Sequence, residues 1–192
     1  KDVTLTLNGS SIYSPVATDS KRIEVWNGHL VINESKIRNV FINFCGSVSN
    51  TREDAGSIKI TNSSFIGGDF ASYCGSPERG SWEITDNYFQ DLGKHYEHRF
   101  WYPEDKLIIE RNSFINCRNI NIGFRRRSSG SGISSNGQLN YLPTIKNNLF
   151  AHQNEESPGL YPHGGRADYN GVYIELWAAY RAENTGLILS NN

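Results

Sequence analysis

One pattern recurs along this chain and restricts how it can fold more than any other feature: apolar-x-apolar-x-x-small/polar-x-aromatic or aliphatic. It fits Leu5-Thr6-Leu7 with Ser10 and Ile12, Leu30-Val31-Ile32 with Ser35 and Ile37, and Ile58-Lys59-Ile60 with Ser63 and Phe65. It continues at Trp82-Glu83-Ile84 with Asn87 and Phe89, and at Leu107-Ile108-Ile109 with Asn112 and Phe114. Pro143-Thr144-Ile145 with Asn148 and Phe150 follows, then Leu187-Ile188-Leu189 with Asn192. The second apolar positions, 7, 32, 60, 84, 109, 145 and 189, lie 25, 28, 24, 25, 36 and 44 apart. Four spacings near 25 and two enlarged ones describe a regular unit carrying two insertions.

Each copy reads as two short strands joined by a bend. Apolar residues two apart face one side of a strand, and the wider step to the next apolar position needs a turn. Ser10, Ser35, Ser63, Asn87, Asn112, Asn148 and Asn192 form a file at that turn. Asparagine tolerates left-handed backbone there, and its amide can bond the same amide in the next copy. Three residues past the aromatic position stand Val40, Gly68, Leu92 and Cys117, which predicts Cys117 as a core thiol.

Composition limits the partners. Lys+Arg 19 against Asp+Glu 20 gives a net charge of −1, so no basic excess points to nucleic acid. No apolar run approaches the roughly 20 residues of a membrane helix, and membrane insertion is not expected. The 18 glycines and 12% aromatic content suit a turn-rich β-protein. Methionine is absent even at position 1, which reads as a processed or excised piece of a longer chain. The last copy stops at its turn residue, Asn192, and an open repeat stack needs its ends covered, by flanking domains or by a partner such as a homotrimer. Three cysteines at 45, 74 and 117 have no metal-ligand spacing; Cys45 and Cys74 either stack as thiols or pair as one disulfide.

The Asn/Ser file and the Ile-x-x-Asn-x-Phe motif resemble the right-handed parallel β-helix of the pectate-lyase-like superfamily. The resemblance covers essentially all of residues 1–192. It implies one all-β domain of about seven coils of ~25 residues with two long loop insertions, near 125–143 and 151–171. That superfamily includes polysaccharide lyases, glycoside hydrolases, phage tailspikes and adhesins, so its fold alone does not choose a function. An extracellular or virion-surface location and an acidic polysaccharide as partner are the expectations it carries.

In the resembled superfamily a third strand lines the groove, between the inward aromatic and the next copy. Alternation predicts Tyr73 outward in one coil, Asn121 and Arg125 in another, and Tyr173, Glu175 and Trp177 in a third. The stretch from His95 to Trp101 fits either register: one displays His95, Glu97 and Arg99, the other His98. Rings offer apolar faces to sugar C–H groups, and Arg or His neutralises uronate or sulfate. The two insertions flank this strand and add Arg127, His163, Arg166 and Asp168.

A lyase reading makes Arg125 or Arg127, or a Ca²⁺ held by Glu97, Asp168 or Glu175, the neutraliser of a uronate carboxyl before β-elimination. The base would be His95, His98 or an arginine such as Arg99, which deprotonates only in special surroundings. A hydrolase reading needs two facing carboxylates, and Asp168 and Glu175 are the pair offered. The paired-Asp signatures of polygalacturonases and the Arg-x-Pro-x-x-Arg segment of pectate lyases are both missing, which weighs against catalysis. Plainer readings stand beside these. The Arg125-Arg126-Arg127 run also suits a solvated loop, His95 and His98 also suit packing against Tyr96 and Trp101, and Tyr173 and Trp177 also suit a subunit contact. A non-catalytic glycan-binding or structural segment is therefore the alternative function.

Overall fold

The computed structural model describes residues 3–15, 22–26, 28–45, 56–71, 81–92, 98–101, 106–117, 120–124, 144–151, 172–176 and 188–192. At 26, 45, 70–71, 98–101, 120–124, 172–176 and 188–189 the description is of the backbone. Described secondary structure is all β, with no helix among these residues. The chain runs through β1 (Thr4–Asn8), β2 (Ser11–Tyr13), β3 (Arg22–Trp26), β4 (His29–Asn33), β5 (Lys36–Cys45), β6 (Ser57–Thr61), β7 (Ser64–Ala71), β8 (Ser81–Thr85) and β9 (Tyr88–Gln90). It continues through β10 (His98–Trp101), β11 (Lys106–Glu110), β12 (Ser113–Ile115), β13 (Ile120–Phe124), β14 (Thr144–Lys146), β15 (Leu149–Ala151), β16 (Val172–Leu176) and β17 (Ile188–Ser190).

Every described pairing is parallel, and neighbours within a sheet come from successive copies of the sequence pattern. The first sheet has the order β1-β4-β6-β8-β11-β14-β17 and the second β15-β12-β9-β7-β5-β2 with β3 paired to β5. A third sheet has the order β10-β13-β16. This arrangement is consistent with a parallel β-helix.

The repeat explains each wall. In the first sheet the two apolar positions of each copy align in register, as in Leu30↔Ile58↔Trp82↔Leu107 and Ile32↔Ile60↔Ile84↔Ile109. All eight are buried. The aromatic position forms a column on the second sheet, where Phe65, Phe89, Phe114 and Phe150 stack with ring centroids 5.0, 4.8 and 5.0 Å apart. Phe44, near the end of β5, meets Trp82 of the first sheet edge-on at 6.0 Å across the core. Fully burying each such side chain contributes about 1.5–3 kcal/mol, so these columns dominate the stabilisation.

Between the first and second sheets the Ser/Asn file is a continuous ladder. Ser10 N donates to Ser35 Oγ at 3.1 Å, Ser35 N to Ser63 Oγ at 3.0 Å, and Ser63 N to Asn87 Oδ1 at 2.9 Å. Asn87 N, Asn112 N and Asn148 N then donate to the Oδ1 of Asn112, Asn148 and Asn192 at 3.0, 3.0 and 3.1 Å. The left-handed backbone is not at these residues, contrary to the sequence expectation. It sits one position earlier, at Gly9, Glu34, Asn62, Asp86, Arg111, Asn147 and Asn191, with φ between 49° and 60°. That residue turns the corner, which frees the side chain of the next one to point inward and bond along the file.

A second corner was not foreseen in the sequence. Asn39, Gly67, Asp91 and Asn116 have φ of 54°, 63°, 54° and 51°, each two residues past the inward position of the second sheet. Gly68 follows at φ 81°, where an added Cβ would fall against the Val40 backbone. Val40, Leu92 and Cys117 are buried as expected, and burial pushes the Cys117 thiol pKa up to about 12, making it an inert core group.

Candidate functional site

The third sheet holds four of the residues singled out in the sequence, His98, Arg99, Tyr173 and Glu175, and backbone register relates them to one another. Arg99 of β10 pairs with Asn121 of β13, which pairs with Tyr173 of β16. Trp101, Gly123 and Glu175 form the next such row. Residues two apart share a face, so Arg99, Trp101, Asn121, Gly123, Tyr173 and Glu175 belong to one face of this sheet. His98 falls in the alternate row with Ile120 and Val172, and Phe100 in the row with Ile122 and Ile174. The two registers left open for His95–Trp101 are thereby resolved: Arg99, and not His98, shares the face of Asn121 and Tyr173.

Parallel strands are ~4.8 Å apart, so Arg99 and Tyr173 stand about 10 Å apart across the row. Tyr73, His95, Glu97, Arg125, Arg127, His163, Arg166, Asp168 and Trp177 lie outside the described residues. So do residues 125–143 and 152–171 of the two insertions and Cys74, while Cys45 is described by backbone only. Among the described residues no group of three or more His, Cys, Asp or Glu side chains comes together as a metal site.

Sequence reasoning overlooked the earlier part of this wall. β3 pairs with the second half of β5, which pairs with the end of β7, and β10 adjoins β7. Arg22, Phe41 and Asp69 form one row and Glu24, Asn43 and Ala71 the next. Arg22 Nε lies 3.1 Å from Glu24 Oε1, and Asn43 Nδ2 donates to the same oxygen at 3.4 Å. Phe41, Asn43 and Asp69 are buried on this face, whereas Arg22 and Glu24 beside them are exposed. The available signal was the run Val40-Phe41-Ile42-Asn43-Phe44, whose alternation places Phe41 and Asn43 opposite the core pair Ile42 and Phe44.

The outer face of the first sheet is electrostatically self-contained. Glu83 accepts from Lys59 at 3.2 Å and Lys106 at 3.0 Å. Partial burial pushes its carboxyl up, but the two ammonium groups outweigh that and leave it below its ordinary 4.5. Arg111 grips both oxygens of Asp86 at 2.6 and 2.7 Å, holding that carboxyl below its ordinary 3.8 and raising the guanidinium in turn. Glu110 completes the set with Arg111 at 2.9 Å and Lys146 at 3.2 Å. These pairs satisfy one another and make this face unsuited to an anion.

No protein-family model, no curated protein and no solved structure matches this chain.

Proposed function

We propose that this chain is a right-handed parallel β-helix of the pectate-lyase-like kind that recognises an acidic polysaccharide along its third wall. The observation that carries the reading is the register of β10, β13 and β16, which aligns Arg99, Asn121 and Tyr173 in one row and Trp101 and Glu175 in the next. A guanidinium, an amide and two rings, repeated at strand spacing, offer an anion partner, hydrogen bonds and apolar faces to successive sugars. The alternate rows hold Ile120, Ile122, Val172 and Ile174, the composition of a core-facing side. Both insertions enter this wall's strands, 125–143 directly after β13 and 151–171 directly before β16, where they would wall a groove.

Cleavage would be β-elimination: a cation neutralises the uronate carboxyl, a base removes the C5 proton, and the O4 group leaves. Arg99, in the row of Asn121 and Tyr173, would be such a cation, a different role from the base suggested for it by the sequence. The test is a panel of acidic polysaccharides, with and without Ca²⁺, followed by binding, by absorbance of unsaturated products and by new reducing ends. The reading expects binding that Arg99→Ala and Tyr173→Ala each weaken. Binding by no member of the panel overturns recognition, and bound substrates that give neither chemical signal reduce the chain to a binder.

A further inference from the structure

We infer that the outer face of the second sheet carries a separate binding strip for an anionic polysaccharide, made by Tyr13, Lys36 and Arg38 and extended by Ser64 and Tyr88. Lys36 and Arg38 alternate on one face of β5, about 7 Å apart along the strand. Both are exposed and neither makes an ion pair with a described residue, unlike Lys59, Lys106, Arg111 and Lys146 on the first sheet. Tyr13 lies beside Arg38 in register, with the guanidinium carbon 5.9 Å from its ring centre and 64% of the residue still exposed. One transverse row runs Ser11↔Lys36↔Ser64↔Tyr88, and Tyr88 is again exposed. Ahead of the second corner, no carboxylate occupies an outward position of β2, β5, β7, β9, β12 or β15 among the described residues; Asp69 of β7 lies beyond that corner.

The chemistry selects the ligand. Two cations without a facing acid among the described residues favour an anion, and two rings three strands and roughly 16 Å apart with a hydroxyl between them suit a chain of sugars. The strip is flat, so affinity must come from an extended ligand making several weak contacts, rather than from a small anion held in a cavity. Two cations would release few counterions from a duplex, which disfavours nucleic acid.

The test uses affinity electrophoresis and calorimetry with heparin and polygalacturonate as anionic probes, dextran as the neutral one, and a short DNA duplex. The intact chain should bind an anionic glycan and not dextran. Lys36→Gln/Arg38→Gln should weaken that binding about tenfold, and Tyr13→Ala about threefold. Lys59→Gln/Lys106→Gln, with the same charge change on the first sheet, should leave it within about twofold. Thermal unfolding checks that each variant is folded. Equal losses from the two double variants, duplex binding as tight as glycan binding, or no loss from the second-sheet variants would each overturn the strip. Arg99→Ala reports on the third wall alone, so failure of one site is distinguishable from failure of the other.

Discussion

The ladder between the first two sheets is built of serine in its first three steps and asparagine in the last four, and the two halves hold neighbouring repeats together differently. Each serine after Ser10 accepts one backbone N–H from the preceding repeat, Ser35 from Ser10 N and Ser63 from Ser35 N. Its own proton goes mostly within its own turn, from Ser35 Oγ to Asn33 O at 2.8 Å and from Ser63 Oγ to Thr61 O at 2.7 Å. Asn112 instead accepts from both Asn87 N and Asn87 Nδ2 at 3.0 Å. Its amide nitrogen donates back to Ile84 O at 2.8 Å and on to Asn148 Oδ1 at 3.0 Å. Both lone-pair sites and both protons are used between repeats. A short hydroxyl fills the same corner but cannot reach both neighbours, so the asparagine half is the more tightly cross-linked.

This contrast can be broken from either side. Asn112→Ala leaves buried donors and acceptors on both neighbours without a partner and should cost about 4 kcal/mol in urea unfolding. Asn112→Ser restores an acceptor for Asn87 N and should cost roughly half as much. Ser35→Ala strands the Ser10 N–H, at the less buried end of the file, and should cost about 1.5 kcal/mol. Should Ser35→Ala prove as costly as Asn112→Ala, the two halves are equivalent and the distinction fails. Ser63→Asn extends the asparagine run by one repeat and should gain about 1 kcal/mol; destabilisation would mean that the serine half is packed too closely for an amide.

The smallest effect belongs to the first sheet's outer face. The folded Glu83 carboxyl lies below its ordinary value, so its contribution is complete above pH 4.5 and is lost as pH falls through the folded value. Glu83→Gln should therefore cost about 0.5 kcal/mol at neutral pH and progressively less on acidification. A cost that grew with acid would contradict the pairing with Lys59 and Lys106.

Much of this was readable because the core imposes it. The columns through Ile32, Ile60 and Ile84, the phenylalanine stack and the Ser/Asn file all require one side-chain type at one place in every repeat, and that requirement is visible as spacing. The corners were not readable in the same way. Left-handed backbone at Glu34 and Arg111 carries no signature, since neither residue favours it, and the ladder around the bend holds it in place. Glu34 N bonds Thr61 O at 3.2 Å and Lys36 N bonds Ser10 O at 2.8 Å, so parallel pairing passes through the corner unbroken. The candidate site was readable only in outline. Alternation alone could not choose between Arg99 and His98; pairing with Asn121 does. Asp69 was not singled out in the sequence, and the strand continues through it.

Asn112 follows Asn87 by 25 residues and holds the same place one storey along, bonding Asn148 as Asn87 bonds it. Excising residues 87–111 would join Asp86 to Asn112 and bring Ser63 N opposite Asn112 Oδ1, with every remaining storey keeping the kind of neighbour it has now. Length in this architecture is thus a quantity that a gene can adjust in whole units by duplication or deletion, leaving the outer surfaces to change their reach without redesign of the interior.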